Sequence, residues 1–181
     1  MSNRKVILYI ATSLDGFIAT EEHKLDWLFA VDSVGDNGFS KFYNTIDTIL
    51  IGNTTYEWIM EQEKGDFPYK DKECYVFSRS IKDNTEFVSF INCDINNFIN
   101  GLKSHDSKDI WVVGGGELLH TLLGDKLIDE IIVTIAPVLI GKGIPLFINS
   151  DFQTHLSFKK INQYNQFVEL CYEVVNNIKS C

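Results

Sequence analysis

The chain has 181 residues, of which 45% are hydrophobic, and it carries a net charge of -9. This length predicts one domain, spanning residues 1–181, with room for a substantial core. The negative charge and the absence of a clustered basic face argue against a nucleic-acid partner and favour small molecules or other proteins as partners. The apolar run of residues 6–11 is too short for a signal-peptide core or a membrane span. The sequence therefore predicts a cytoplasmic protein without a membrane partner.

The first predicted strand leads into a turn that could cover a ligand. Residues 5–12 form an apolar, β-rich run of the kind found in a central strand. Asp15 and Gly16 then predict a turn, and a short extended piece follows. Two roles are open for Asp15: a turn residue whose carboxylate bonds its own backbone, which is favoured, or a group in a ligand-covering loop.

Asp32 follows an apolar segment that contains Trp27 and Phe29. An acid desolvated beside aromatic rings is protonated more easily near neutral pH, as a general acid requires. A helix cap is the simpler alternative, and composition favours it. Residues 39–44 then predict a short helix.

A strand, a glycine and a helix start follow one another in residues 48–60. Residues 48–51 predict a buried strand that runs directly into Gly52. Thr54 and Glu57 stand at capping-box spacing in the helix that follows. Unpaired N–H groups at such a helix start suit a phosphate.

The next strand, predicted over residues 74–77, ends at Ser78 and Arg79. The planar guanidinium of an arginine at such a strand end suits bidentate contact with a phosphate. An ordinary surface charge is an equally open interpretation of Arg79. Residues 87–91 predict a short strand and residues 96–104 a helix that faces the core.

Three consecutive glycines interrupt the sequence after the apolar, β-branched run of residues 110–113. Leucines at helical spacing follow them, so the pattern predicts a strand, a glycine turn and a helix. Glycine allows a ligand to approach the backbone, and the helix start favours an anion. A tight turn without a ligand is the alternative, and Leu119 stands where a G-x-G-x-x-G fingerprint needs its last glycine. Residues 48–60 contain a unit of the same kind. The two units together strengthen the phosphate interpretation, because helices that follow parallel strands begin at one edge of the sheet.

The rest of the chain predicts an α/β fold that ends in a hairpin. Residues 130–135 predict a strand, and residues 136–147 a loop with strand fragments. Residues 156–163 and 167–175 flank a polar turn and predict an antiparallel pair. The cysteines and histidines are scattered without C-x-x-C spacing, so no metal site is predicted.

In this order and spacing, the motifs resemble the dihydrofolate reductase-like superfamily, and within it the C-terminal reductase domain of the bifunctional riboflavin-biosynthesis protein. The resemblance spans residues 6–174 and is carried by segments 11–19, 26–28, 46–57, 76–79, 112–118 and 136–147. It implies a three-layer α/β/α fold with a mixed central sheet and a C-terminal antiparallel hairpin. It also implies NADPH bound across the carboxyl edge of the sheet, and a homodimer, since relatives commonly pair.

The resemblance implies a role for each matched residue. Thr12 and Ile18 would flank the nicotinamide, and Asp32, five residues after Trp27, would be the acid near the substrate. The nicotinamide side and the pyrophosphate would be lined by Gly114, Gly115, Gly116, Glu117 and Leu118. The phosphates and the adenosine 2′-phosphate would be bound by Gly52, Asn53, Thr54, Thr55, Ser78 and Arg79. Many relatives have arginine where this chain has Asn53, so NADH stays open as the cofactor.

The sequence thus predicts a stand-alone NADPH-dependent reductase that transfers hydride to a small heterocyclic substrate, such as a pteridine, a dihydrofolate-like compound or a ribosylamino-pyrimidine. Asp32 or Asp15 would supply the proton, directly or through water. A catalytically weak nucleotide-binding module of the same fold is the alternative, followed by an interaction protein whose glycines are only turns. The zinc deaminase signature of the bifunctional enzyme, H-x-E followed by P-C-x-x-C, does not occur in the sequence.

Overall fold

The computed structural model describes residues 4–33 and 35–176. Its strands are β1 (Val6–Ser13), β2 (Phe17–Ala19), β3 (Ile46–Gly52), β4 (Glu73–Phe77), β5 (Val88–Ile91), β6 (Asp109–Gly114), β7 (Glu130–Ala136), β8 (Ile144–Pro145), β9 (His155–Tyr164) and β10 (Phe167–Val175). Its helices are α1 (Asp26–Phe29), α2 (Phe39–Tyr43), α3 (Asn53–Gln62), α4 (Ile95–Lys103) and α5 (Gly116–Gly124).

An eight-stranded sheet in the order β5-β4-β3-β6-β1-β7-β10-β9 runs through the molecule. The strands from β5 to β7 pair in parallel, whereas β10 pairs antiparallel to both β7 and β9. The predicted mixed sheet with a C-terminal hairpin is confirmed. A second, two-stranded sheet pairs β2 with β8.

Both faces of the inner, parallel part of the large sheet are buried, which explains why its strands are continuous apolar runs. In β1, Val6 and Leu8 belong to the hydrophobic cluster that receives α4 and α5. Ile7, between them, belongs to the cluster that receives α2 and α3. Successive side chains of a strand point to opposite faces, so one strand contributes to two cores and the fold has three layers.

Charged groups close the amino edge of the sheet, where the parallel strands begin. Arg4 is only 5% exposed. Its guanidinium donates to Asp47 Oδ1 at 2.5 Å and to Thr48 Oγ1 at 2.5 Å, and also to the backbone carbonyls of Leu102 and Lys108. The amino edge is therefore a closed polar network beneath the core.

Two local predictions about helix caps are wrong. Helix α3 begins at Asn53 with Gly52 as its N-cap, so Thr54 does not cap it and no capping box forms. The carboxylate of Glu57 instead accepts a hydrogen bond from Lys82 Nζ at 2.8 Å. Asp32 caps neither neighbouring helix, because the N-caps of α1 and α2 are Leu25 and Gly38.

In residues 4–33 and 35–176, no helix is both long and apolar enough to cross a membrane.

Candidate functional site

A cavity of about 1080 Å³ opens at the carboxyl edge of the large sheet. Its volume lies slightly above the range of roughly 300–1,000 Å³ that is typical of ligand sites. Every residue predicted to bind the cofactor lines it, with the exception of Thr12: Ile18, Gly52, Asn53, Thr54, Thr55, Ser78, Arg79, Gly114, Gly115, Gly116, Glu117 and Leu118.

These residues meet because of the order of the strands. β4, β3, β6 and β1 are adjacent and parallel, so their carboxyl ends lie side by side at one edge. Four strand ends at about 4.8 Å spacing make a cleft roughly 15 Å long. Ser78 and Arg79 lie at one end of the cleft, the glycines in its middle, and Ile18 at the other end. We call the outer parts the Ser78 end and the Ile18 end.

The middle of the cleft depends on a close approach of two glycines. A Cβ on Gly115 would lie 3.2 Å from Gly52 Cα, and Gly115 has a φ of +111°. A Cβ would fit there only if its neighbour moved by a few tenths of an ångström, and the backbone angle is strained for other residues. The two strand-glycine-helix units seen in the sequence are therefore in direct contact at their turns.

The two helices whose starts meet in the middle of the cleft, α3 and α5, lack side-chain caps. The N-caps of α3 and α5 are Gly52 and Gly115, and within residues 4–33 and 35–176 neither helix start has a side-chain cap hydrogen bond. Helix α4 also begins at the cavity, where Ile95 lines the wall, but it is capped by Asp94, whose carboxylate accepts from Asn97 N at 2.8 Å. The uncapped N–H groups and the positive ends of two helix dipoles thus favour an anion in the cleft.

Charged side chains at the Ser78 end are paired with each other. Arg79 Nη2 lies 3.5 Å from Glu117 Oε2, and both side chains are exposed. Lys82 Nζ donates to Glu57 Oε1 at 2.8 Å and to Asn53 Oδ1 at 2.7 Å. The Lys82 hydrogen bond lowers the pKa of Glu57, which keeps that carboxylate charged.

Asp15 holds the loop that follows β7 and does not line the cavity. Its carboxylate accepts hydrogen bonds from Ser13 Oγ at 2.6 Å, from Gly141 N at 2.7 Å and from Ile140 N at 3.3 Å. The Ser13 hydroxyl, followed by these backbone amides, lowers the pKa of Asp15. The favoured prediction, a carboxylate that bonds mainly its own turn, is incomplete because two of its partners lie about 125 residues further along the chain.

Thr12 and Asp32 also lie outside the cavity lining. The Thr12 hydroxyl is buried and donates to the carbonyl of Phe17 at 3.0 Å, which fixes the turn between β1 and β2. Asp32 is exposed, so it lacks the burial that the general-acid hypothesis requires. Its backbone carbonyl accepts a hydrogen bond from Asn165 Nδ2 at 3.1 Å.

The structure adds residues at the Ile18 end that the sequence patterns do not indicate. His23, Leu25, Leu28 and Trp58 line the cavity there. Trp58 Nε1 donates to the carbonyl of His23 at 3.0 Å, which joins α3 to the loop before α1. The two residues are 35 positions apart in the chain, and no local pattern relates them.

The fold and the cleft define an α/β protein of the dihydrofolate reductase type, with a site suited to an extended anionic ligand. The chain belongs to the RibD C-terminal domain family, which it matches over residues 4–170.

Two relatives come from Bacillus subtilis (strain 168). The uncharacterized protein YwjB is 44% identical over 170 residues, which cover 93% of this chain and 97% of YwjB. The uncharacterized protein YyaP is 37% identical over 172 residues, which cover 90% of this chain and 89% of YyaP.

Solved structures of related proteins share the fold. A Shewanella sp. PV-4 protein provisionally ascribed to riboflavin biosynthesis has a TM-score of 0.86 and 27% identity, covering 95% of this chain and 99% of that one. The Thermotoga maritima diaminohydroxyphosphoribosylaminopyrimidine deaminase/5-amino-6-(5-phosphoribosylamino)uracil reductase has a TM-score of 0.69 and 15% identity, covering 95% of this chain and 57% of that enzyme. Enterococcus faecalis dihydrofolate reductase, complexed with NADP(H), has a TM-score of 0.64 and 17% identity, covering 96% and 97%.

Proposed function

We propose that this protein is a reductase that uses a nicotinamide dinucleotide, preferentially NADPH, to reduce a small heterocyclic compound. A pteridine, a dihydrofolate-like compound or a ribosylamino-pyrimidine is the proposed substrate class. The observation that carries the proposal is the pair of uncapped helix starts that meet at Gly52 and Gly115 within one elongated cavity. Membership of a family that includes riboflavin-pathway reductases supports it.

The residues present fit such a cofactor. The contact between Gly52 and Gly115 leaves backbone N–H groups accessible to a diphosphate, where a side chain would block it. The Ser78 end offers hydroxyls and cations to a phosphorylated ribose. The Ile18 end is apolar, with Ile18, Leu25 and Trp58, and suits a planar ring.

When bound, the nicotinamide would supply the hydride. The role of the chain is to hold the ring at the Ile18 end, to exclude water with apolar side chains and to place the substrate against it. His23 is a titratable side chain at that end, and we propose it as the group that delivers the proton, directly or through water. The roles predicted for Asp32 and Asp15 stay predictions, and both residues lie outside the cavity lining.

Fluorescence titration with NADPH and with NADH tests the cofactor proposal. Trp58 lines the cavity, so binding should transfer excitation energy from tryptophan to the nicotinamide, and Trp58→Phe should remove most of that transfer while binding persists. The absence of quenching or energy transfer with either dinucleotide at millimolar concentration would overturn the proposal. Oxidation of bound NADPH by one of the named substrate classes would reject the alternative of a module without catalysis.

The proton donor is tested by the pH dependence of kcat/KM. His23→Gln should alter the pH profile of kcat/KM, and Asp32→Asn should leave that profile unchanged. Loss of the profile in Asp32→Asn alone would return the role to Asp32.

A further inference from the structure

Lys82 brings a positive charge to the start of α3, where the sequence has none. Asn53, the first residue of the helix, is neutral, which leaves the choice between NADPH and NADH open in the sequence. In the structure, Lys82 reaches back from the segment after β4 and places Nζ 2.7 Å from Asn53 Oδ1. Asn53 lines the cavity, so the ammonium group lies directly behind its wall.

We propose that Lys82 is a specificity-determining residue that makes this site prefer a dinucleotide with a phosphate monoester on the adenosine ribose over the same dinucleotide without it. The inference rests on the proposed function and deepens it, because it assigns the discrimination to one side chain at the Ser78 end.

The contacts of Lys82 hold it in place and leave it able to bind a phosphate. Two of its three ammonium donors go to Asn53 and Glu57, at 2.7 and 2.8 Å. Its Nζ also lies 5.5 Å from the centre of the Phe90 ring. The side chain is 32% exposed, and its third donor would reach a ligand by turning past Asn53.

Arg79 is the other cation at this end, but it is held much less firmly. Its side chain is 92% exposed and its ion pair with Glu117 spans 3.5 Å. Fixing such a side chain on a ligand costs conformational entropy that the more constrained Lys82 has already lost. We therefore assign the larger share of the discrimination to Lys82.

Glu57 competes with the phosphate for the same ammonium group. Its carboxylate neutralises Lys82 in the structure, at 2.8 Å. A phosphate must displace or share this partner, so removing the carboxylate charge should strengthen binding of the phosphorylated dinucleotide. The two substitutions Lys82→Gln and Glu57→Gln should consequently shift the preference in opposite directions.

Binding of NADPH and of NADH, each titrated by fluorescence against folded protein, tests the inference without relying on turnover. Lys82→Gln should weaken the affinity for NADPH by about tenfold, since one charge-assisted hydrogen bond to phosphate is lost. It should change the affinity for NADH by less than about twofold. Glu57→Gln should tighten NADPH by a few fold and leave NADH unchanged, roughly as one partly screened charge allows. Lys160→Gln, an exposed lysine on β9 at the far end of the sheet, is the matched control and should change neither affinity.

The outcomes separate the two proposals. If the unmodified protein binds both dinucleotides but Lys82→Gln weakens them equally, or weakens neither, the role of Lys82 is overturned and the proposed function stands. If the unmodified protein binds neither dinucleotide, the proposed function fails and this inference fails with it. Salt provides an independent test. High salt should remove the preference for NADPH over NADH in the unmodified protein, and it should not change the ratio of the two affinities in Lys82→Gln.

Discussion

The amino and carboxyl edges of the large sheet are built from the same parallel strands, yet their arginine side chains differ in burial and in hydrogen bonding. At the amino edge, Arg4 is buried and meets Asp47 and Thr48 at 2.5 Å each. At the carboxyl edge, Arg79 is exposed and pairs with Glu117 at 3.5 Å. Buried, fully bonded charges fix a structure, whereas exposed, loosely paired charges remain available to a ligand. The contrast separates the part of the protein that holds the fold from the part for which we propose ligand binding.

The amino edge should therefore show the largest loss of stability on substitution. Arg4→Ala removes four hydrogen bonds and leaves Asp47 without its cation, so it should lower the free energy of unfolding by about 3 kcal/mol. That figure is at the lower end of the range for broken buried pairs because a third of the Asp47 side chain is exposed. Arg79→Ala is the matched change at the carboxyl edge and should cost less than about 1 kcal/mol. Urea unfolding of both variants measures this, and equal losses would contradict the comparison.

The stability difference at the amino edge should depend on pH. Burial opposes ionisation of Asp47, but hydrogen bonds from Ser107, Lys108, Thr48 and Arg4 outweigh it and lower its pKa below the ordinary 3.8. A lowered folded-state pKa gives stability that is present above pH 3.8 and lost as the pH falls through the folded value. The difference in the free energy of unfolding between the unmodified protein and Arg4→Ala should thus become smaller below about pH 4, as urea unfolding at each pH would show.

Gly115→Ala should disturb the middle of the cleft, where the two helix starts meet. The added Cβ would meet Gly52 Cα at 3.2 Å, and a φ of +111° is strained for alanine. We expect a stability loss of about 1–3 kcal/mol and at least tenfold weaker dinucleotide binding, because the two helix starts must move apart.

Gly101→Ala provides the control for this glycine. Gly101 lies within α4, and a Cβ there would meet nothing within 4 Å. Alanine should therefore stabilise the helix by up to about 1 kcal/mol and leave dinucleotide binding unchanged. If both glycine substitutions behaved alike, the close approach at Gly115 would have no special role.

The smallest effect should come from Asp15, which joins the turn before β2 to the loop after β7. Asp15→Asn removes the charge that accepts from Gly141 N at 2.7 Å, so amide hydrogen exchange at Gly141 should accelerate at neutral pH. In the unmodified protein the same loss of protection should appear only below pH 3.8, because the pKa of Asp15 is lowered from that value, chiefly by the Ser13 hydroxyl. Unchanged exchange at Gly141 would show that the loop is held by other contacts.

Much of the fold could be predicted from local patterns. The runs of β-branched and aliphatic residues predict β1, β3, β4, β6 and β7 because strands buried on both faces need apolar side chains at every position. Glycine followed by helical leucine spacing predicts the start of α5, and two such units predict a shared edge. The expectation of a nicotinamide dinucleotide came from the family resemblance, because hydrophobic periodicity predicts helices and strands but not a ligand.

Predictions about single side chains were less reliable, for a physical reason. Thr54 and Glu57 have the spacing of a capping box, yet α3 starts at Asn53 and Glu57 bonds Lys82 instead. Asp32 follows aromatic residues in sequence, yet it is exposed because the chain carries it away from the cleft. Spacing along the chain limits which atoms can meet locally, but long-range contacts decide which of them do.

The sequence by itself determined the strands, the glycine turns and the common edge at which they end, because hydrophobic periodicity and glycine conformations are local properties. Only the tertiary structure decided that Gly52 and Gly115 touch, that Arg4 seals the amino edge, and that Lys82 stands behind the neutral Asn53. Each of these pairs is separated by 29 to 63 residues, and their approach depends on the order of strands in the sheet. The first residue of α3, Asn53, is neutral, and the positive charge beside it comes from Lys82 in the segment after β4.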